Sequence, residues 1–212
     1  MIAKEGFKII LPALAVSILL SIMAILFPLW PIKILLWISL LFFLFSLYFF
    51  RDPERQISKK EKIIVSPADG KVVGVQDIQH EEIGEAKLIE IFMSVFNVHI
   101  NRMPFDGKVI STKHTPGKFL SAFSPDASAV NEQNCIIIEK DGFKISITQI
   151  AGLIARRIIS YLSVGDEVKK GAKFGLIMFG SKVDIVVPAN VELSVKIGDK
   201  VCGGSSIIGE IK

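Results

Sequence analysis

Four short segments of the chain combine side chains that can move protons or attack a carbonyl. Ser66-Pro67-Ala68-Asp69-Gly70 is a turn with a carboxylate at its tip. Phe96-Asn97-Val98-His99-Ile100-Asn101-Arg102-Met103-Pro104 sets a histidine after the apolar run Ile89–Phe96. Imidazole is the side chain whose ordinary pKa lies closest to neutrality, so His99 is a candidate acid or base. His114-Thr115-Pro116-Gly117 is a second turn, beside Phe119 and Phe123. Met178-Phe179-Gly180-Ser181-Lys182-Val183-Asp184 places a Gly-Ser pair between apolar stretches, and a serine hydroxyl is a nucleophile once a neighbouring base activates it. Each segment also has a plain structural reading, as a turn or a strand end. His80, His99 and His114 are not spaced as a local metal site, so no metal is expected. Neither a phosphate-binding glycine loop with its lysine nor a Gly-x-Ser-x-Gly elbow occurs.

These segments need a scaffold, and the chain supplies two kinds. Of its 212 residues 50% are hydrophobic and 22% charged, which excludes a disordered chain. The mean hydropathy of +0.51 comes from one block. Between Ile9 and Phe50 the only charged residue is Lys33. That block is too long for a secretory signal and divides at Pro28-Leu29-Trp30-Pro31-Ile32-Lys33. The two flanking stretches, residues 9–27 and 34–50, each approach the roughly 20 residues that cross a bilayer as helix. Residues 1–50 are therefore expected to be a membrane-anchoring helical hairpin, with Pro12 in the first turn of its first helix. A hairpin half-inserted in one leaflet is the rival, because the second stretch is short. Lys4 and Lys8 precede the hairpin, and Arg51, Arg55, Lys59, Lys60 and Lys62 follow it, so both termini are expected on the cytoplasmic face of the cell membrane.

Residues 51–212 carry 22 basic and 20 acidic side chains, a balance that gives no argument for nucleic acid. Cys135 and Cys202 are too few for a disulfide framework and read as isolated thiols. The segments 63–65, 71–75, 88–93, 108–112, 135–139, 144–150, 156–162, 183–187 and 191–195 read as strands. They are rich in Ile and Val, often alternate with polar residues, and are separated by Gly, Pro, Asp and Asn. The expected fold class is mainly β, a compact domain over residues 51–212. Val164-Gly165-Asp166-Glu167-Val168-Lys169-Lys170-Gly171 recurs 33 residues later as Ile197-Gly198-Asp199-Lys200-Val201-Cys202-Gly203-Gly204. Matched Gly-Asp turns suggest two related hairpins, as in the β-modules that carry lipoyl or biotinyl groups. A membrane-tethered carrier or adaptor of that kind, without activity, is the alternative reading. It needs a lysine at a hairpin tip, for which Lys182 is the nearest candidate.

Taken in order, the segments resemble the short, membrane-associated form of phosphatidylserine decarboxylase, a pyruvoyl-dependent enzyme family. The resemblance runs from Phe49-Phe50-Arg51-Asp52-Pro53-Glu54-Arg55 through Ser66–Val72, Asn97–Gly107, Pro116–Phe123 and Asn131-Glu132-Gln133-Asn134 to Phe179-Gly180-Ser181. It implies a proenzyme that cuts itself between Gly180 and Ser181. The serine hydroxyl attacks the preceding carbonyl, which glycine leaves uncrowded. Elimination from the resulting ester and hydrolysis then turn Ser181 into a pyruvoyl group and release ammonia. The pyruvoyl would take the substrate amine as a Schiff base and serve as the electron sink for decarboxylation of phosphatidylserine to phosphatidylethanolamine.

The resemblance also assigns roles. His99 is the expected proton donor to carbon, and Asp69 the group that orients or deprotonates the Ser181 hydroxyl. Larger members of the family carry a second histidine three positions after the first; here that position is Arg102. Arginine is no base near neutral pH. Self-cleavage then falls to Asp69 with His99, to His114 from another loop, or to Asp69 alone. Arg102, His114 and Phe119 are the expected substrate-binding residues, Arg102 against the lipid phosphate or the substrate carboxylate. The expected partners are phosphatidylserine in the membrane and the two fragments of the chain itself, with no nucleic acid; assembly into a homo-oligomer is left open. The connector from Arg51 to Lys62 is expected to face anionic lipid.

Overall fold

A computed structural model describes residues 1–118, 120, 130–152, 158–178 and 181–212. Phe119, Gly180 and residues 156–157 of the seventh expected strand lie outside these. The chain divides into two compact units, Met1–Glu54 and Arg55–Lys212.

The first unit is a helical hairpin. A 3₁₀ turn at Lys4–Gly6 leads into α1, Phe7–Leu26, and α2 spans Trp30–Phe49. Both helices are apolar all round, as expected of segments solvated by lipid. Two expectations need correction. Pro12 lies inside α1, not in its first turn, because the helix begins at Phe7. The second helix starts at Trp30, with Pro31 in its first turn, where a missing N–H costs nothing. At 20 residues it is about 30 Å long, so the premise of a short second stretch falls away. The Ser17 hydroxyl donates to the Ala13 carbonyl at 2.9 Å and meets the Ser39 hydroxyl, which gives the pair a polar contact in an apolar interface.

The second unit is mainly β. Its large sheet has the order β13-β2-β3-β11-β7-β6-β5-β9. These strands are β2 Gly70–His80, β3 Gly84–Met93, β5 Gly107–Thr115, β6 Gln133–Lys140, β7 Phe143–Ile150, β9 Glu167–Val168, β11 Ser181–Pro188 and β13 Lys200–Val201. Two small sheets complete it: β1 Ile63–Val65, β14 Ile207–Ile211 and β12 Val191–Leu193; and β4 Ile100–Arg102, β10 Lys173–Ile177 and β8 Ile158–Ser160. Alternation along the strands builds the core. Val183 opposes Ile91 and Gln149, and Ile185 opposes Ile89 and Ile147. Ile136 and Ile138 on β6 continue that face, and all the isoleucines named lie within the core. Each contributes roughly 1.5–3 kcal/mol by burial, which fixes register, since a one-residue slip would turn the face to solvent.

The repeat noted in the sequence is a structural duplication, and it reaches further than the turns. Gly165 and Gly198 have φ of 99° and 100°, Gly171 and Gly204 both 80°. Ser163 N–H donates to Asp166 Oδ2 at 2.8 Å, as Lys196 N–H does to Asp199 at 2.9 Å. The strands they bind are also copies: Pro67-Ala68-Asp69-Gly70-Lys71-Val72 matches Pro104-Phe105-Asp106-Gly107-Lys108-Val109. Gly203 N–H donates to Asp69 Oδ1 at 2.7 Å, and Lys170 N–H to Asp106 Oδ1 at 2.8 Å. Asp69 is thus one of two equivalent turn carboxylates.

Candidate functional site

Ser181 opens β11 at the place where the core face changes character. From Ile89–Ile185 and Ile91–Val183 the ladder passes to Met93–Ser181. On the neighbouring strands the same face passes from Ile147–Ile136 to Gln149–Asn134. Ser181 is fully buried, and its hydroxyl donates to the Met93 sulfur at 3.4 Å. The Asn101 amide points at the same sulfur from 3.8 Å. Gln149 donates to Asn101 Oδ1 at 2.9 Å, and Asn134 to Gln149 Oε1 at 3.1 Å, so a buried amide chain lies behind the serine.

Two backbone bonds bring the other expected residues to this neighbourhood. Ile177 N–H donates to the His99 carbonyl at 3.3 Å, linking the segment just before the Gly-Ser pair to the start of β4. Arg102 N–H donates to the Pro67 carbonyl at 2.9 Å, linking the end of β4 to the Asp69 turn. His99 is buried, and its Nδ1 lies 2.9 Å from the Asn97 carbonyl. A carbonyl only accepts, so Nδ1 is the donor in this contact.

Asp69 is tied down. Arg55 Nη2 donates to both of its oxygens, at 2.9 and 2.8 Å, and Gly203 N–H supplies a third bond. Its carboxylate has no hydrogen bond to Ser181 or His99 among the described residues. Arg55 was expected to face lipid as part of the connector; instead it is drawn to the buried carboxylate, because a charge removed from water needs an opposite charge beside it. Lys59, Lys60 and Lys62 remain exposed. Gly70, next to Asp69, has no room for a side chain: a Cβ would sit 2.3 Å from the Phe92 carbonyl oxygen. We expect Gly70→Ala to displace the Asp69 turn and slow chain maturation. A gel time course checks this, with a wild-type rate as the contrary result.

The side chains of the remaining expected residues have other partners. Arg102 is buried and its guanidinium donates to the Gly171 carbonyl at 3.1 Å. His114 is half-exposed on β5 and lies 3.7 Å from the Glu132 carboxylate. Asn131, from one of the quoted motifs, pins Leu120 and Ala151 through its amide at 2.9 and 2.8 Å. Burial lowers the pKa of Lys170, with Asp106 acting in the opposite direction. Among the described residues no group of three or more His, Cys, Asp and Glu is placed to hold a metal ion. Both cysteines are free.

Sequence reasoning missed Met93, Asn101, Gln149 and the partnership of Arg55. Asn101 had a usable signal, a second polar side chain two places beyond His99. Gln149 had none, being one polar residue in an alternating strand.

Known proteins resemble this chain over most of its length. The family model described as phosphatidylserine decarboxylase matches residues 42–209. A protein of Desulfotalea psychrophila named phosphatidylserine decarboxylase proenzyme is 47% identical over 183 residues, 84% of this chain and 85% of its own. A protein of the same name from Geotalea uraniireducens is 42% identical over 210 residues, 98% and 95% of the two chains. One from Cupriavidus pinatubonensis is 41% identical over 217 residues, covering 100% and 95%.

Proposed function

Because this chain belongs to the phosphatidylserine decarboxylase family, we propose that it removes the carboxyl group of phosphatidylserine as carbon dioxide and leaves phosphatidylethanolamine. In this reading the chain cuts itself between Gly180 and Ser181, and Ser181 becomes a pyruvoyl group at the head of the 181–212 fragment. The supporting observation is Ser181 itself, a fully buried hydroxyl at the mouth of a central strand whose acceptor, among the described residues, is a thioether. Such a hydroxyl is weakly engaged and free to react.

The surroundings fit a ketone in that place. The Asn101 amide spends a donor on sulfur at 3.8 Å, a weak bond it can give up for a carbonyl oxygen. Once formed, the pyruvoyl group supplies an electron sink for the pair left by carbon dioxide. The rest is done by side chains. In this proposal Asp69 orients or deprotonates the Ser181 hydroxyl during self-cleavage, for which its carboxylate must turn from Arg55 and Gly203 N–H toward the serine. The bond from Arg102 N–H to the Pro67 carbonyl ties its turn to the strand that begins beside His99. This favours Asp69 acting with His99 over His114, which is engaged near Glu132. His99 then delivers a proton from Nε2 to the former α-carbon in each turnover. The carrier alternative loses its anchor point, because Lys182 is 3% exposed and ion-paired within a central strand. Release of carbon dioxide from phosphatidylserine labelled in the serine carboxyl is the direct test. A chain inert on that lipid would overturn the reading.

The hairpin is proposed as a membrane anchor, with both termini on the cytoplasmic face as the basic flanks suggest. A lipid headgroup is best met at the interface, since extraction costs roughly 0.8 kcal/mol per methylene. A chain beginning at Arg55 keeps the guanidinium that holds Asp69 and should still cut itself. It should lose activity chiefly on bilayer substrate, with much less loss on short-chain lipid in detergent. Failure to cut would make the hairpin part of the catalytic fold.

A further inference from the structure

We propose that Lys182, Glu90 and Asp184 form an ionic clamp that holds the newly made end of the 181–212 fragment in register, and so positions the prosthetic group after the chain is cut. The inference rests on the self-cleavage reading above.

Alternation along β11 puts Ser181 on the core face and Lys182 on the other. Lys182 is nonetheless buried, and its ammonium donates to Glu90 Oε1 and lies 3.5 Å from Asp184 Oδ1. Glu90 and Asp184 are directly opposite in the β3–β11 register. Like charges facing across an antiparallel pair repel, and only a cation on the same face reconciles them. Space is made for the arrangement as well. Gly74 opposes Glu90 on β2, and a Cβ there would come within 2.0 Å of Glu90 Oε2.

Stability alone is a poor reason for such a group, because a buried ion pair replaced by apolar side chains is often neutral or better. What it offers is a fixed position. The proposed cut divides it: Glu90 and Gly74 fall in the 1–180 fragment, Lys182 and Asp184 in the 181–212 fragment. Before the cut, Ser181 is held by a peptide bond on each side. Afterwards it is a chain end, and chain ends fray unless tied down. Ser181 has a strand partner in β3 alone, whereas Lys182 is the first residue of β11 paired on both sides, with Phe92 and Ile150. The clamp therefore begins one residue from the reacting group, at the first position able to hold it.

Lys182→Met and Lys182→Arg in the full chain test this. The measurements are the cleaved fraction, carbonyl content per chain, and kcat and KM per carbonyl. Lys182→Met should mature yet fall about 10²-fold in kcat per carbonyl, the scale of an ångström of misplacement, with KM little changed. Lys182→Arg should recover most of the loss. The melting temperature should drop more on Lys182→Met in the cut chain than in the uncut Ser181→Ala background. Wild-type kcat per carbonyl, or equal melting losses in cut and uncut chains, would reduce the cluster to a structural one. If Lys182→Met fails to mature, Gly74→Ala decides the matter, because it displaces only the flexible end of Glu90. A fall in kcat per carbonyl supports the clamp there and a wild-type value overturns it. Failure of the self-cleavage reading looks different: the wild-type chain itself would stay whole and carry no carbonyl.

Discussion

Ser181→Ala should leave a single 212-residue chain that releases no carbon dioxide from phosphatidylserine. The substitution removes one oxygen from a fully buried site and leaves the backbone pairing of Ser181 with Met93 intact. The lost bond runs to sulfur at 3.4 Å, so its contribution sits at or below the lower end of the usual 0.5–1.5 kcal/mol, roughly. The fold should therefore survive, with a melting temperature close to that of the uncut wild-type chain. Activity should be lost entirely, because alanine offers neither the nucleophile for the cut nor the atoms of the prosthetic group. Two fragments from this variant would place the cut elsewhere and end the assignment of Ser181.

Asp69 and His99 should separate, because maturation needs the Ser181 hydroxyl activated once and turnover needs a proton on carbon in every cycle. Asp69→Asn keeps an acceptor for Gly203 N–H but removes the negative charge that faces Arg55. Uncut chain should accumulate. His99→Ala should mature in part over hours, since a slow acyl shift can proceed unaided, and then turn over poorly. Loss of one general acid–base group costs about 10²–10⁴ in rate. The quantity to measure is decarboxylation per titrated carbonyl in whatever cut His99→Ala protein forms. Near-normal turnover per carbonyl would remove His99 from the proton step.

Most strands were legible as runs rich in Ile and Val: β3, β6, β7 and β11 lie near their expected positions, and the three-residue β1 lies at 63–65 as expected, whereas β14, Ile207–Ile211, was not expected. β4, β9 and β13 have three, two and two residues and carry no period to read. β10 was hidden by Gly175, whose Cβ would meet the Ile159 carbonyl oxygen at 2.1 Å, a close backbone approach rather than a turn. The duplication was half visible: the Gly-Asp turns stood out, while the Pro-x-Asp-Gly-Lys-Val pair around Asp69 and Asp106 passed unnoticed. The candidate site was proposed from residue types and their order. Its wiring was not, because the bonds from Arg55 to Asp69 and from Asn101 to Met93 and Gln149 join segments that no local pattern relates. The helix boundaries shifted because Pro31, read as a breaker, opens a helix as readily as it ends one.

The most direct measurement is mass spectrometry of the C-terminal fragment from purified wild-type protein. The expected product is a fragment of residues 181–212, lighter than one beginning with serine by the elements of ammonia, and reactive toward hydrazines at its first residue. An intact 212-residue chain in an active preparation, or a fragment that begins with unmodified serine, would contradict it.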